Sequence, residues 1–186
     1  MACPEPVRFR CMRQNSGEFG VTPEELAEII APFLPGGGGG IVQTDSLLDA
    51  TFVSIAGVTI PADGSTPQIT EGGELLGPLA YTPLDAANIL RINFNLSYAS
   101  NNANRTTFAL FDGNTDAIFA PQVRNHTASQ PDFVAFVFEV VAGSTIARNY
   151  TVRAGSQTSG TISRNGVGGL TNNVQQSSII VTEFEP

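Results

Sequence analysis

His126 is the only histidine of the chain, and it lies in a polar segment, residues 124–127. A serine–histidine–acid triad would have to use it, because the base of such a triad is an imidazole. The sequence has no Gly-x-Ser-x-Gly segment of the kind that carries the nucleophile of α/β-hydrolases. A lone histidine in a polar loop is more often a solvated side chain, so we predict no triad.

Asp112, Asn114 and Asp116 alternate in the way that the first ligands of a calcium-binding loop do. The pattern then departs, since Ala117 stands where such a loop has glycine and Val123 where it ends in glutamate. We therefore predict a turn between two strands and no metal site.

Paired carboxylates can hydrolyse glycosides, and their separation sets the stereochemistry of the reaction. Glu183 and Glu185 share a strand face but lie at the end of the sequence, where we expect solvated carboxylates. No pair of acids is singled out, so no catalytic residue is assigned and the protein is predicted not to be an enzyme.

Cys3 and Cys11 are the only two cysteines. They are expected to be free thiols in a reducing compartment, although a disulfide between them, or between copies of the chain, can form outside the cell. Two thiolates without nearby histidines fall short of the four ligands that structural zinc usually takes. No cofactor is predicted.

The composition excludes several classes of function. The net charge is −8, and all nine basic residues are arginines, so no lysine is present for Schiff-base or P-loop chemistry. Acidic residues occur in both halves and leave no basic stripe, so no nucleic-acid binding is predicted. No apolar run approaches the ~20 residues that span a bilayer, and residues 1–6 do not resemble a signal peptide. We expect synthesis in a host cytoplasm and no membrane insertion.

Five glycines, residues 36–40, separate an N-terminal arm, residues 1–35, from a body, residues 41–186. In the arm, Val7 and Phe9 alternate with arginines as in a short extended strand, and a helix is predicted over residues 23–34. Thr22 and Glu25 form a capping box in front of an apolar stripe that comprises Leu26, Ile29, Ile30 and Phe33.

Helices shorter than ~12–15 residues are marginal in water, so this stripe must dock on a surface. The body, the same helix in sister chains or a larger assembly could supply that surface. The glycine hinge favours the last two, because a flexible linker does not fix orientation.

The body has the period-two pattern of an all-β domain. Strands are predicted near residues 52–60, 74–79, 89–98, 106–111, 117–119, 133–141, 148–154 and 178–184. Turn sequences separate them, and short strands without helical periodicity indicate a β-sandwich or jelly roll.

Two of these strands differ in character. Residues 90–96 alternate strictly, as a strand with one solvated face requires, whereas residues 133–141 are apolar on both faces. The second face needs a cover, either residues 71–81 or identical subunits around a symmetry axis. The second alternative predicts an interface at Phe133, Val134, Phe136, Val137, Phe138 and Val140.

The C-terminal third contains three distinctive segments, residues 149–156, residues 160–166 with their Gly160-Thr161-Ile162-Ser163 and Asn165-Gly166 sequences, and residues 177–184. They resemble the closing strands of small virion fibre and decoration proteins of tailed bacteriophages. Such domains are similar to the trimeric jelly roll shared by tumour necrosis factor and complement globular heads. The resemblance implies a homotrimer with its N-terminal segment in the virion and its jelly roll pointing outward.

The resulting expectation is an all-β jelly-roll sandwich that forms a homotrimer in a phage virion. The arm, through Val7, Phe9 and the helical stripe, would contact other virion proteins. A short tail fibre is favoured, with polar loops at residues 97–107 and 165–176 available for a host-surface glycan. A capsid decoration protein is the alternative, and a secreted jelly-roll lectin or glycan-active enzyme is a more remote one.

Overall fold

The alternating pattern of the body produces ten β-strands and no helix within residues 40–125, 127–166 and 175–186, which the computed structural model describes. The strands are β1 (Ile41–Asp49), β2 (Val53–Val58), β3 (Gly73–Tyr81), β4 (Ile89–Ser100), β5 (Arg105–Phe111), β6 (Gln122–Arg124), β7 (Pro131–Val141), β8 (Arg148–Ser156), β9 (Gly160–Arg164) and β10 (Ser177–Phe184). No stretch of the described residues is a helix that could cross a bilayer.

The strands form two antiparallel sheets. In the first sheet, β1 pairs with β10, β10 with β4, and β4 with β7. The same sheet includes β9, which pairs with the C-terminal part of β4, and β2, which pairs with β9. The second has the order β3-β8-β5-β6. Each sheet combines strands from distant parts of the chain, which is the double-sheet jelly-roll arrangement. The predicted all-β jelly-roll sandwich is confirmed, and the trimeric state stays a prediction.

One hydrophobic core fills the space between the sheets. From β4 it takes Leu90, Ile92, Phe94 and Leu96, all fully buried, and from β8 it takes Tyr150 and Val152. The intervening β4 residue Arg91 is exposed, so this strand has the one solvated face that its alternation predicts.

The sandwich has two distinct ends. At the linker end, Glu185 donates a backbone hydrogen bond to Gly40 (3.2 Å), and the connections 82–88 and 142–147 lie beside it because Ile89 pairs with both Phe184 and Val141. The far end carries the connections 101–104 and 157–159, beyond the last β4 pairs with β9. The strand β4 runs from one end to the other, and its 12 residues separate the two ends by roughly 35–40 Å.

The connection between β2 and β3 covers the outer face of the second sheet. Ile60 packs there with Ala109 and Phe111 in a second, smaller core. The approach is so close that a Cβ at Gly155 would lie 2.5 Å from the Ile60 nitrogen, so only glycine fits this position of β8. The part of this outer face that β5 and Gly155 form is therefore covered by the chain itself, whereas Glu74, Pro78 and Ala80 of β3 stay exposed.

Some predicted elements differ from the observed ones. Residues 117–119 are not a strand, because their only bridge to β5 is an isolated one between Phe119 and Leu110. Ala117 packs on the smaller core, whereas Ile118 and Phe119 pack on the main one. The strands β1 and β6 were not predicted, and β9 was expected only from the resemblance. The predicted arm, its helix 23–34 and its stripe lie outside the described residues. The chain divides into two units at Gly37 and Gly38, and every described residue belongs to the second unit.

Candidate functional site

The strand β7 is an edge of the first sheet and has an uncovered, largely apolar face, here called the β7 strip: Phe133, Ala135, Val137 and Val141. Glu139 lies between the last two on the same face and pairs with Arg91 at 2.6 Å. Phe133, Val137 and Val141 are 60%, 58% and 57% exposed. Residues 73–81, offered above as part of a covering loop, form β3 in the other sheet. Within the described residues, nothing of this chain covers the β7 strip.

The six interface residues predicted on this strand lie on its two faces. Phe133 and Val137 belong to the β7 strip, whereas Val134, Phe136, Phe138 and Val140 face inward and pack on the core. The centroids of the Phe136 and Phe94 rings lie 5.3 Å apart. These contacts hold β7 on the core. The outward residues of the β7 strip are then the part of the strand that another molecule can contact.

A buried carboxylate organises the linker end. Glu183 of β10 is fully buried and accepts hydrogen bonds from the Tyr81 hydroxyl (2.7 Å) and the Asn88 amide (2.7 Å). The backbone nitrogens of Leu84 and Asp85 also donate to it, at 2.9 Å and 3.2 Å. One side chain thus holds the whole connection between β3 and β4.

The expectation of a solvated Glu183 is wrong. Its strand lies between β1 and β4, so the end of the sequence is central in the sheet. Ile179 and Val181 precede Glu183 on the same inward face, and this period-two register is the sequence signal that could have placed it inside. Glu185 is exposed, as expected.

The environment of Glu183 stabilises its charged form. Burial alone raises the pKa of a carboxyl group, but the hydrogen bonds from Asn88, Tyr81 and the two backbone nitrogens outweigh it, so the pKa of Glu183 lies below its usual value. Burial and the hydrogen bond to Glu183 raise the pKa of Tyr81. The pair therefore consists of a carboxylate and a neutral phenol over the whole physiological range.

A second buried network joins β1, β9 and β10. The guanidinium of Arg164, 2% exposed, donates to the Asp49 carboxylate at 2.6 Å. Asn165 follows with φ at 58°, donates to the Asp49 carbonyl (2.8 Å) and accepts from the Ser177 hydroxyl (2.7 Å). Burial acts to raise the pKa of Asp49, but hydrogen bonds from Thr51 and the Arg164 guanidinium lower it below its usual value.

Asp49→Asn is expected to lower the free energy of unfolding by about 2 kcal/mol, because it leaves a buried guanidinium without its counter-charge. Urea denaturation at fixed protein concentration measures the change. Asp45→Asn, an exposed position on the same strand, is the control and should change little. Equal effects at the two positions would show that the Arg164 ion pair does not stabilise the fold.

The far end is held by amide side chains. Asn125 accepts a hydrogen bond from the Tyr98 hydroxyl (2.9 Å) and donates to the Thr106 hydroxyl (2.8 Å). Burial raises the pKa of Tyr98 to about 12, so this phenol also stays neutral. The loops of this end therefore rest on a fixed polar layer.

Of the residues singled out for chemistry, those that the structure describes do not come together. Asp112 accepts hydrogen bonds from the Asn114 backbone and side chain and lies 4.0 Å from the Arg148 guanidinium, so the segment is a turn. In the part of the chain described, no group of three histidine, cysteine or acidic residues could hold a metal ion. His126, Cys3 and Cys11 lie outside the described residues.

No protein-family model matches the sequence, and no curated protein is similar to it. Among solved structures, a chain of infectious bursal disease virus, Gt strain, matches with a TM-score of 0.40 and 9% identity over 78% of this chain and 38% of that chain. The VP2 subviral particle of that virus gives 0.36 and 10%, with 78% and 38% covered. Disulfide-linked pili described as Bacillus endospore appendages give 0.27 and 11%, with 79% and 95% covered. This chain spans 38% of the length of those two viral chains. Similarity at this level assigns neither a family nor a function.

Proposed function

We propose that the protein is a non-enzymatic, homotrimeric structural protein of a tailed-phage virion. In this proposal it is a short tail fibre, whose arm binds other virion proteins and whose jelly roll is displayed for contact with the host surface. The observation that carries the proposal is that the two ends of the body differ. The glycine linker joins the sandwich at one end, and the polar connections 101–104 and 157–159 lie at the opposite end.

The β7 strip supports the trimeric part of the proposal. An exposed apolar face along an 11-residue edge strand is a surface that soluble proteins normally cover. The chain itself covers part of the outer face of the second sheet but, among the described residues, none of the β7 strip, which favours copies of the same molecule as the partner of that strip. The resemblance of residues 149–184 to virion fibre and decoration proteins supports the phage assignment.

A capsid decoration protein is the second candidate, and exposed apolar residues at the linker end favour it. Ile41, Leu84 and Ile146 are 65%, 61% and 72% exposed and lie on strands or connections of that end. Such a base could rest on a capsid shell while the arm holds neighbouring subunits.

Gold-labelled antibody on intact particles distinguishes the two candidates, since the label should lie at the tail for a fibre and over the head for a decoration protein. Deletion of residues 1–35 is expected to leave a soluble body that no longer enters particles. Incorporation that persists after the deletion would assign the contact to the body instead.

A substitution in the full chain refines the test of the arm. Ile29→Asp places a charge on the predicted helical stripe and is expected to abolish incorporation, because a docked apolar face cannot bury an unpaired carboxylate. Ala31→Asp, on the opposite side of the same predicted helix, is the matched control and should be incorporated normally.

A further inference from the structure

Two arginines face each other at the far end of the sandwich. Arg105 begins β5 and pairs with Arg124, which ends β6. Both side chains are exposed. Like charges directly opposite each other on neighbouring strands are destabilising, so this pair opposes the pairing of β5 with β6 when nothing binds to it.

The other described arginines all have partners. Arg91 pairs with Glu139 at 2.6 Å, Arg164 with Asp49 at 2.6 Å, and Arg148 lies 4.0 Å from Asp112. Arg153 donates to the backbone carbonyls of Glu71 and Gly72. Among the described residues, only Arg105 and Arg124 have arginine side chains without an ion pair or a hydrogen bond. Among the acidic residues that the structure describes, none forms an ion pair with these two.

The pair lines an open cleft of about 420 Å³ together with Ala103, Asn104 and Gln157. Among the residues that the structure describes, the lining of the cleft includes no acidic side chain. The rim is fixed, because Asn102 and Asn104 both donate to the Thr158 hydroxyl, at 2.7 Å and 3.2 Å. The Gln157 backbone nitrogen donates to the Arg105 carbonyl at 3.1 Å, which ties the connection 157–159 to β5.

We propose that this cleft binds an acidic glycan through a carboxylate, sulfate or phosphate group. A guanidinium presents a planar set of donors that matches such oxyanions with two parallel hydrogen bonds, and two guanidinium groups can hold one anion between them. The Asn104 and Gln157 amides beside the pair can donate to and accept from sugar hydroxyls. A bound oxyanion also removes the repulsion between the two arginines.

The assignment of that glycan to a host surface rests on the proposed function, which places the far end outward. The anion site itself rests only on the geometry of β5 and β6. Nucleic acid fits the site less well, because tight binding to a phosphate backbone needs many basic contacts and the chain has a net charge of −8.

Surface plasmon resonance on three matched polymers tests the proposal with the full chain. Plain dextran, carboxymethyl-dextran and dextran sulfate share one sugar backbone and differ in charge. The wild-type protein is expected to bind the two anionic polymers and not the neutral one. This result is diagnostic because an acidic protein is repelled by polyanions unless it has a local site.

Arg105→Gln and Arg124→Gln are each expected to weaken binding to dextran sulfate by about tenfold or more, the effect of losing a charge-assisted hydrogen bond. Arg91→Gln is the matched control, because it removes an exposed arginine of equal charge from the other sheet and should leave binding unchanged. Failure of both cleft variants to weaken binding would overturn the proposal.

Two competitors identify the source of the anion. Both competitors are compared by their concentrations of sulfate groups. Inorganic sulfate is expected to displace the protein from immobilised dextran sulfate only at a much higher concentration than soluble dextran sulfate does. Equal potency would mean a simple oxyanion site, and equal binding of a single-stranded oligonucleotide would mean a nucleic-acid site; either result would overturn the glycan proposal. The cleft variants should keep the oligomeric state and the incorporation into particles of the wild type, so a failed glycan site is distinguishable from a failed fibre proposal.

Discussion

Glu183→Gln is expected to lower the free energy of unfolding by about 3 kcal/mol, one of the two largest effects that we anticipate for a single substitution in this fold. The carboxylate accepts from four groups, namely the Tyr81 hydroxyl, the Asn88 amide and the backbone nitrogens of Leu84 and Asp85. Glutamine has one acceptor oxygen, and its amide nitrogen would face donors. Hydrogen bonds to charged groups contribute ~1.5–3 kcal/mol each, and buried donors left without acceptors add a desolvation cost.

The pH dependence of stability gives a second readout for Glu183. Its pKa in the folded protein lies below the ordinary value of the unfolded chain. The stabilisation is therefore fully present above the unfolded pKa and is lost as the pH falls through the folded one. The difference in stability between wild type and Glu183→Gln should shrink on acidification, because a protonated glutamic acid presents a donor to the same surroundings as glutamine does.

Denaturation in urea at several pH values, at one protein concentration, measures both effects. Glu185→Gln removes the same charge two residues further along, at an exposed position, and is expected to change stability by less than ~0.5 kcal/mol. If both variants lose the same stability, or if the loss in Glu183→Gln is independent of pH, the buried carboxylate does not hold the linker end together.

The parts of the fold that the sequence predicts are those whose signal is local. The alternation along β4 correctly placed Leu90, Ile92 and Phe94 inside. Residues 133–141 do form a strand, but its outward face is not wholly apolar, since Glu139 lies on it and pairs with Arg91. The strand β1 has no such pattern, since most of its residues are exposed. It exists because its backbone pairs with β10, whose residues lie 128 (Asp49 with Ser177) to 143 (Ile41 with Phe184) positions further along the chain.

The polar networks depend on pairings that no local pattern carries. Arg164 meets Asp49 across 115 residues, and Glu183 meets Tyr81 across 102. Arg105 and Arg124 face each other only because β5 and β6 pair in one register. In each case the sequence shows the residue type, but only the topology shows the partner.

Val137→Glu is expected to dissociate the proposed trimer without unfolding its subunits, and this is the second large effect. Val137 lies in the middle of the β7 strip and is 58% exposed in the single chain, so a glutamate there remains solvated in a monomer. The nearest residues along that strand face are Ala135 and Glu139, and Glu139 pairs with Arg91. In a trimer built on the strip, the new carboxylate would lose its water, and an unpaired charge in such a place costs several kcal/mol. The dissociation constant of the trimer should rise by about 100-fold or more.

Sedimentation over a range of micromolar concentrations is the measurement. The wild type should contain three chains and Val137→Glu one, while circular dichroism shows the same β-structure in both. Leu48→Glu is the matched control, because Leu48 is 62% exposed on β1, the strand at the opposite side of the same sheet. It should remain a trimer.

A wild type that sediments as a single chain would leave the β7 strip without the partner proposed for it, and dissociation by Leu48→Glu alone would move the interface to β1. Dissociation by Val137→Glu alone would connect the uncovered face of β7 to assembly and leave the far end free to bind its ligand.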